Sequence, residues 1–179
     1  MLAIPTLATR RLLLRAFTEG DADPLYVILC GRDVLRYFPE GPPPTRETAV
    51  RMITRILQHW EERGYGLWAV ESRETGELMG RCGLNFITET GETEGDVILG
   101  VPFWGRGYAT EAIEGSLRYA AGNLDLGGIV GIVHPENAAS RRLLDKVGMK
   151  LTGPARYFGM DCLRYVLERP ELLRRYVAS

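Results

Sequence analysis

The sequence predicts a mixed α/β domain, of the α+β type, with a mostly antiparallel sheet of about seven strands flanked by helices. Short apolar runs of strand character alternate with segments of helical periodicity, and hairpin-like pairs stand on both sides of one central β-α-β unit. No internal repeat, linker or low-complexity tract interrupts the 179 residues. We therefore expect a single domain, 1–179, which is long enough to bury one sizeable core.

Composition and charge narrow the classes of function. The chain is 45% hydrophobic and 25% charged, and its net charge of −1 gives no reason to expect nucleic acid or a membrane surface as partner. Three scattered cysteines without a CxxC pair predict neither a disulfide framework nor a zinc site, and two histidines are too few for a metal centre. The N-terminus lacks a signal-peptide core, and no apolar run approaches the length of a membrane span. The expectation is a cytoplasmic protein without metal.

The N-terminal half predicts a strand, two helices and a hairpin. The run RLLLRAF (11–17) is the first strand, and one of the two aspartates that open DADPLYVILCGR (21–32) caps the first helix. After a proline-rich loop, Thr45 caps a second helix, which Gly64 ends. The runs YGLWAVES and ELMGRCGLNFI then form a hairpin whose turn ends in Gly76.

The C-terminal half contains the predicted β-α-β unit. A polar loop, TETGETEG (88–95), leads into the strand DVILGV, and a helix follows over 109–121. GGIVGIVH is the next strand, and Asn137 caps a short helix that Gly148 ends. MKLTG and MDCLRYVLE complete the sheet, and the tail RPELLRRYVAS adds a peripheral helical turn or two.

The run VPFWGRGYATEA (101–112) places two glycines and an arginine between a strand and a helix. A dinucleotide fingerprint would require a third glycine where Thr110 stands and an acidic residue where His134 ends the next strand. A plain structural turn stays open as an alternative. Gly105 and Gly107 allow successive N–H groups to converge on an anion at the positive end of the helix, which favours a pyrophosphate site.

The run WGRGYA (104–109) resembles the Q/R-x-x-G-x-G/A signature of the GNAT acetyltransferases, which binds the pyrophosphate of acetyl-CoA. The longer run is similar to the branch of the ribosomal-protein N-acetyltransferases RimJ and RimL, where Trp104 is usual in place of Gln or Arg. TRRLLLR (9–15) resembles the opening strand of that branch. HPENAASRRLLDKVGM (134–149) resembles its V-x-x-x-N-x-x-S-x-x-x-L-x-x-x-G-F segment. The resemblance covers roughly residues 9–168.

The resemblance implies an acetyl-CoA-dependent N-acetyltransferase, with a non-catalytic acyl-CoA-binding or sensing module as the alternative. It also implies that the strand containing ILGV splays from GIVGIV and pairs its exposed backbone with the pantetheine amides. Gly100 would suit a bulge in that strand, although easing of strand packing explains it equally. The residues expected to bind the donor are Leu99, Gly100, Val101, Trp104, Gly105, Arg106, Gly107, Tyr108, Ala109, Thr110, Asn137 and Ser140.

Acetyl transfer to an amine requires a group that accepts the amine proton. Glu94 and Asp96 face the same side of the donor strand, and the resemblance singles out Glu94 as the acidic residue of an E-L-G-[YW] strand start. Asp161, in the last strand, and His134, at the end of the fifth, are the rival candidates.

Ser140 is the candidate proton donor to the leaving thiolate. It lies one helical turn after Asn137, and in the resembled branch this Asn and Ser contact the pantetheine arm and the sulfur. No cysteine has an obvious activating partner, so we expect direct transfer in a ternary complex. The acceptor, a protein N-terminal α-amine or a small-molecule amine, stays open, as does a homodimer.

Overall fold

The protein, described by a computed structural model over residues 3–177, contains one eight-stranded sheet in the order β1-β2-β3-β4-β5-β6-β8-β7. Its strands are β1 (Leu7–Ala8), β2 (Leu12–Arg15), β3 (Leu67–Ser72), β4 (Leu78–Ile87), β5 (Glu92–Leu99), β6 (Gly128–Val133), β7 (Lys150–Tyr157) and β8 (Met160–Glu168). All neighbours are antiparallel except β5 and β6. The predicted class is confirmed. The additional strand, β1, is only two residues long and too short to leave a pattern in the sequence.

Five α-helices accompany the sheet: α1 (Ala22–Leu29), α2 (Arg46–Arg63), α3 (Tyr108–Asn123), α4 (Ala138–Lys146) and α5 (Arg169–Tyr176). Both predicted ends of the second helix are confirmed. The Thr45 hydroxyl accepts the Thr48 N–H, and Gly64 ends the helix in the left-handed region at φ 73°. Within residues 3–177, no helix is long and apolar enough to cross a bilayer.

Two expectations about element boundaries are wrong. The segment 88–95 is not all loop, because β5 begins at Glu92 and pairs with β4 from there. The polar residues are compatible with a strand because the Glu92 carboxylate accepts the Tyr157 hydroxyl at 2.6 Å and pairs with Arg164 at 2.7 Å. Of the predicted loop, only the short turn between β4 and β5 lies outside the strands, and it ends at Gly91 with φ 74°.

The C-terminal tail is the second correction. It forms α5, which packs on the core rather than lying at the periphery. Leu172 and Tyr176 are buried, and the Tyr176 hydroxyl donates to the Val147 carbonyl at 2.9 Å. The burial of one apolar face therefore stabilises a helix that is too short to be stable alone.

The feature of the fold that positions the site is the separation of β5 from β6. These parallel strands pair only at Glu94 and Val130. β6 stays with β8, to which it pairs over all six of its residues, while β5 stays with β4. Because each strand follows its antiparallel partner, the two diverge beyond Glu94, as the resemblance implied.

Candidate active site

A cavity of about 990 Å³ lies where β5 and β6 diverge. Its walls come from the C-terminal part of β5, the glycine loop with the start of α3, and the end of β6 with the start of α4. The connection between α1 and α2 and the turn between β7 and β8 complete it. The cavity thus brings these five segments of the chain into one site.

The glycine loop gives one end of the cavity the character of an anion site. Gly105 and Gly107 both lie in the left-handed region, at φ 70° and 78°. Gly107 is the N-cap of α3 and has no side chain to occupy the first N–H groups, whereas Thr45 and Asn137 cap α2 and α4 through side-chain oxygens. The free amides and the helix dipole together favour a phosphate group here.

Most of the predicted donor residues line the cavity. They are Leu99, Trp104, Gly105, Gly107, Tyr108, Ala109, Thr110, Asn137 and Ser140. Trp104 also ties the loop to β5, because its indole N–H donates to the Leu99 carbonyl at 2.8 Å. This bond fixes the start of the glycine loop relative to the end of β5.

Three of the predicted donor residues, Gly100, Val101 and Arg106, do not line the cavity. The bulge suggested for Gly100 is wrong: its N–H donates to the Met79 carbonyl at 2.9 Å, and a 3-10 turn, Val101–Phe103, follows. The Arg106 guanidinium lies 5.3 Å from the ring centroid of Tyr108.

Glu94 lies half-buried in the cavity, at the point where β5 and β6 part. Burial, the largest cause, and the charge of Asp96 together raise the pKa of its carboxyl to about 8, against smaller opposing effects of Arg81 and Asn85. Asn85 is the residue directly across from Glu94 on β4. A carboxyl in this state exchanges its proton near neutral to mildly alkaline pH.

The neighbouring acid, Asp96, is held differently. It forms an ion pair with Arg81 at 2.5 Å, and the Arg81 side chain is only 9% exposed. Among the residues that the structure describes, no arginine or lysine forms such a pair with Glu94. Glu94 and Asp96 stand two residues apart on β5, and Glu94 is therefore the one of the two without a fixed counter-charge.

Asn137 and Ser140 lie across the cavity at the start of α4. The Asn137 side-chain oxygen accepts the Ser140 N–H at 3.1 Å, which makes it the helix cap and leaves its amide N–H groups free. Both residues line the same cavity as Glu94. The structure thus brings together the predicted base, the predicted acid and the glycine loop.

Asp161 does not join them, so the expectation that it lines the cleft is wrong. Strand alternation turns Met160 and Cys162 toward the cavity and Asp161 to the opposite face. There its side chain is 89% exposed and pairs with Arg156 at 3.4 Å.

His134 does line the cavity, but its ring is held by its surroundings. It stacks on Tyr37 with 5.1 Å between the centroids, and its Nδ1 accepts the Glu136 N–H at 3.2 Å. These contacts suit a structural histidine at the rim better than a proton acceptor.

Sequence reasoning missed the apolar and aromatic residues that two further segments contribute to the cavity lining. Tyr37 and Phe38 come from the connection between α1 and α2, and Phe158, Met160 and Cys162 come from the β7–β8 hairpin. Phe158 is 47% exposed and has φ 52°, an unusual conformation for an aromatic residue. No local motif marks these residues, because only the fold brings the two segments together.

Comparison with known proteins agrees with this geometry. Residues 11–150 match the family model described as "Acetyltransferase (GNAT) domain". The "Uncharacterized N-acetyltransferase p20" of Bacillus licheniformis is 34% identical over 149 residues, which cover 83% of this chain and 84% of the relative.

Solved structures extend the comparison. An acetyltransferase from Agrobacterium tumefaciens is 28% identical and has a TM-score of 0.81, over 94% of this chain and 96% of its own. RimL, a ribosomal L7/L12 α-N-protein acetyltransferase in complex with coenzyme A, shares the fold at a TM-score of 0.78 and 18% identity, over 93% and 99% of the two chains. The family model matches most of the chain, and its relatives share the fold around this cavity. The chain therefore belongs to the GNAT family and is an acyl-CoA-dependent N-acetyltransferase.

Proposed function

We propose that this enzyme moves an acetyl group from acetyl-CoA directly to a primary amine while both substrates occupy the cavity. The observation that carries the proposal is the common cavity of Glu94, the glycine loop and Ser140 at the divergence of β5 and β6. An anion site, a proton acceptor and a proton donor therefore face one space. Such an arrangement suits attack of an amine on a thioester held in place by its phosphates.

The donor would bind along the wall that begins at the glycine loop. The free amides at the start of α3 would hold the diphosphate, and the edge of β5 that β6 leaves free would bind the pantetheine arm. RimL, which shares this fold, was solved with coenzyme A. Bound acetyl-CoA supplies the activated thioester, and the protein supplies its orientation.

Glu94 would accept the proton of the amine. An amine with a pKa of about 10.4 is mostly charged at neutral pH and cannot attack until it loses a proton. Transfer to a carboxylate of pKa about 8 is uphill by about 3 kcal/mol, against about 8 kcal/mol for an ordinary glutamate. The burial that raises the pKa of Glu94 thus makes it a better base for this task.

Ser140 would donate a proton to the departing sulfur. Its N–H is already satisfied by Asn137, which holds the serine at the first turn of α4 facing the cavity. Because a thiol has a pKa of about 8.5, its thiolate leaves readily without help, and the contribution of an acid is modest.

The apolar part of the lining favours an acceptor amine that is attached to an apolar group. Phe38, Phe158 and Met160 line the same cavity as the Glu94 carboxyl. The N-terminus of a protein presents such an amine next to its first side chain, and so does a hydrophobic small amine. RimL, by its description, acts on the protein α-amine of L7/L12. Cytoplasmic location and any homodimer stay predictions.

The test is a screen of acceptors by release of free thiol from acetyl-CoA. The panel holds peptides with free N-termini, the same peptides with blocked N-termini and one lysine, polyamines and aminoglycosides. We expect thiol release with one of these classes and intersecting initial-velocity lines when both substrates vary. Tight binding of acetyl-CoA with no acetylated amine would contradict the proposal, and parallel lines would contradict direct transfer.

A further inference from the structure

The N-terminal segment is bound to the first turn of α3 by one carboxylate. Glu111 accepts three hydrogen bonds at 2.7 Å, from the Thr9 hydroxyl, the Arg11 N–H and the Arg11 Nε. Although burial acts to raise it, these bonds hold the pKa of Glu111 below its usual range. The Glu111 carboxylate is therefore a charged anchor for the guanidinium of Arg11.

The same guanidinium contacts the glycine loop. Its Nη1 donates to the Arg106 carbonyl at 3.0 Å, and its Cζ lies 4.2 Å from the ring centroid of Tyr108. The point where a Cβ of Gly107 would stand is 3.5 Å from its Nη2. Arg11 thus contacts Arg106 and Tyr108 and lies beside Gly107, while Glu111 binds its Nε.

The loop requires such an external support. Gly105 and Gly107 both have left-handed backbones. Because glycine lacks a Cβ, it also has access to many other conformations, so these two residues do not fix the loop by themselves. An anion site made of backbone amides binds well only if those amides already point at the anion. Side-chain hydrogen bonds join the loop to two other parts of the fold: the Trp104 indole donates to the Leu99 carbonyl of β5, and Arg11 donates to the Arg106 carbonyl.

Arg11 also balances a charge. A carboxylate in the first turn of α3 stands close to the site where a diphosphate would bind, and like charges repel. The Arg11 guanidinium forms an ion pair with Glu111, and the two side chains are 30% and 15% exposed, respectively. Neither residue lines the main cavity: both line a separate groove behind the loop, between 6–11 and the outer face of α3.

We propose that Arg11 is a positioning residue for the donor: anchored on Glu111, it holds residues 106–108 in the conformation that binds the diphosphate. The inference rests on the proposed function, since the diphosphate belongs to acetyl-CoA. Arg11 acts through the loop, so its effect is confined to donors that carry phosphates.

The experiment compares two donors, acetyl-CoA and acetyl-pantetheine, which carries the same thioester without the diphosphate. In Arg11→Ala, we expect the KM for acetyl-CoA to rise about ten- to a hundred-fold with kcat nearly unchanged, as for lost hydrogen bonds to a charged group. The kcat/KM for acetyl-pantetheine should stay within about two-fold of wild type. Arg11→Lys keeps the charge but not the planar guanidinium, so its KM for acetyl-CoA should lie between that of the wild type and that of Arg11→Ala.

Arg73→Ala is the matched control. Arg73 also holds the N-terminal segment, donating to the Thr9 carbonyl at 2.5 Å and the Arg10 carbonyl at 3.3 Å. Among the residues that the structure describes, no hydrogen bond or ion pair joins Arg73 to the glycine loop. We expect an unchanged KM for acetyl-CoA in this variant. In Arg11→Ala with Glu111→Gln, the KM should recover in part, because the unpaired carboxylate is gone.

Several results would overturn the inference. Equal loss with both donors in Arg11→Ala, or an equal rise in KM in Arg73→Ala, would show a general structural role. If Arg11→Ala does not fold, Arg11→Lys decides: an unchanged KM for acetyl-CoA contradicts the positioning role. Failure of the wild-type enzyme to use acetyl-CoA would instead contradict the proposed function.

Discussion

The two ends of the cavity are built in different ways. The proposed donor site comes largely from Leu99 and the glycine loop with the start of α3, and it presents backbone groups. The proposed acceptor site collects the side chains of Tyr37, Glu94 and Phe158 from three distant parts of the chain. An anion site made of backbone amides can be encoded by a short sequence motif. A site made of side chains from distant segments forms only when the chain folds.

The largest effect that separates the two ends is expected for Gly107→Glu. A side chain at this position would begin 3.5 Å from Arg11 Nη2, so its carboxylate would draw the guanidinium away from residues 106–108 and add a negative charge at the start of α3. Acetyl-CoA affinity should therefore fall at least about a hundred-fold. Isothermal titration measures the affinity. Gly159→Glu is the control, because Gly159 has the same φ of 78° but lies in the β7–β8 turn. Equal loss in both variants would assign the effect to backbone strain.

Glu94→Gln should cause the next largest loss, at the acceptor end. We expect kcat to fall about a hundred-fold while the affinity for acetyl-CoA is kept, within the range typical of general base catalysis. In the wild type, kcat/KM for the acceptor should rise with pH up to about 8, as the Glu94 carboxyl loses its proton.

The pH profile tests the assignment directly. That rise should vanish in Glu94→Gln, and the titration of the amine itself should remain in both enzymes. Glu89→Gln, at an exposed position of the turn before β5, is the control and should leave both rate and profile unchanged. A wild-type profile in Glu94→Gln would exclude Glu94 as the base.

Ser140→Ala tests the proposed proton donor to the leaving thiolate. The loss in kcat should be about ten- to a hundred-fold, at the low end for a general acid, because a thiolate is already a good leaving group. The KM for acetyl-CoA should change little. A change confined to that KM would assign Ser140 to donor binding alone.

The smallest effect is expected from replacing Cys30, Cys82 and Cys162 by alanine together. Cys162 lines the cavity, but burial raises the pKa of its thiol and of the Cys82 thiol, so neither is a ready nucleophile. Activity should stay within about two-fold, and mass spectrometry of the wild type after acetyl-CoA alone should show no gain of about 42 Da. An adduct of that mass that disappears in the triple variant would establish a covalent route.

Sequence reasoning succeeded where the interactions are between residues close together in the chain. The caps at Thr45 and Asn137 and the stop at Gly64 depend on neighbours within four residues, and all three were predictable. Asp161 was misplaced because its apolar neighbours predict a buried strand but not which face meets the cavity.

By itself the sequence determined the glycine loop, the order of the elements, the family resemblance and a short set of candidate side chains. Only the tertiary structure decided that Arg81 pairs with Asp96 and not with Glu94, and that Arg11 contacts a loop about a hundred residues away. The physical reason is that backbone conformation and capping are set by adjacent residues. Burial, charge pairing and pKa depend on partners that only the folded chain brings within reach.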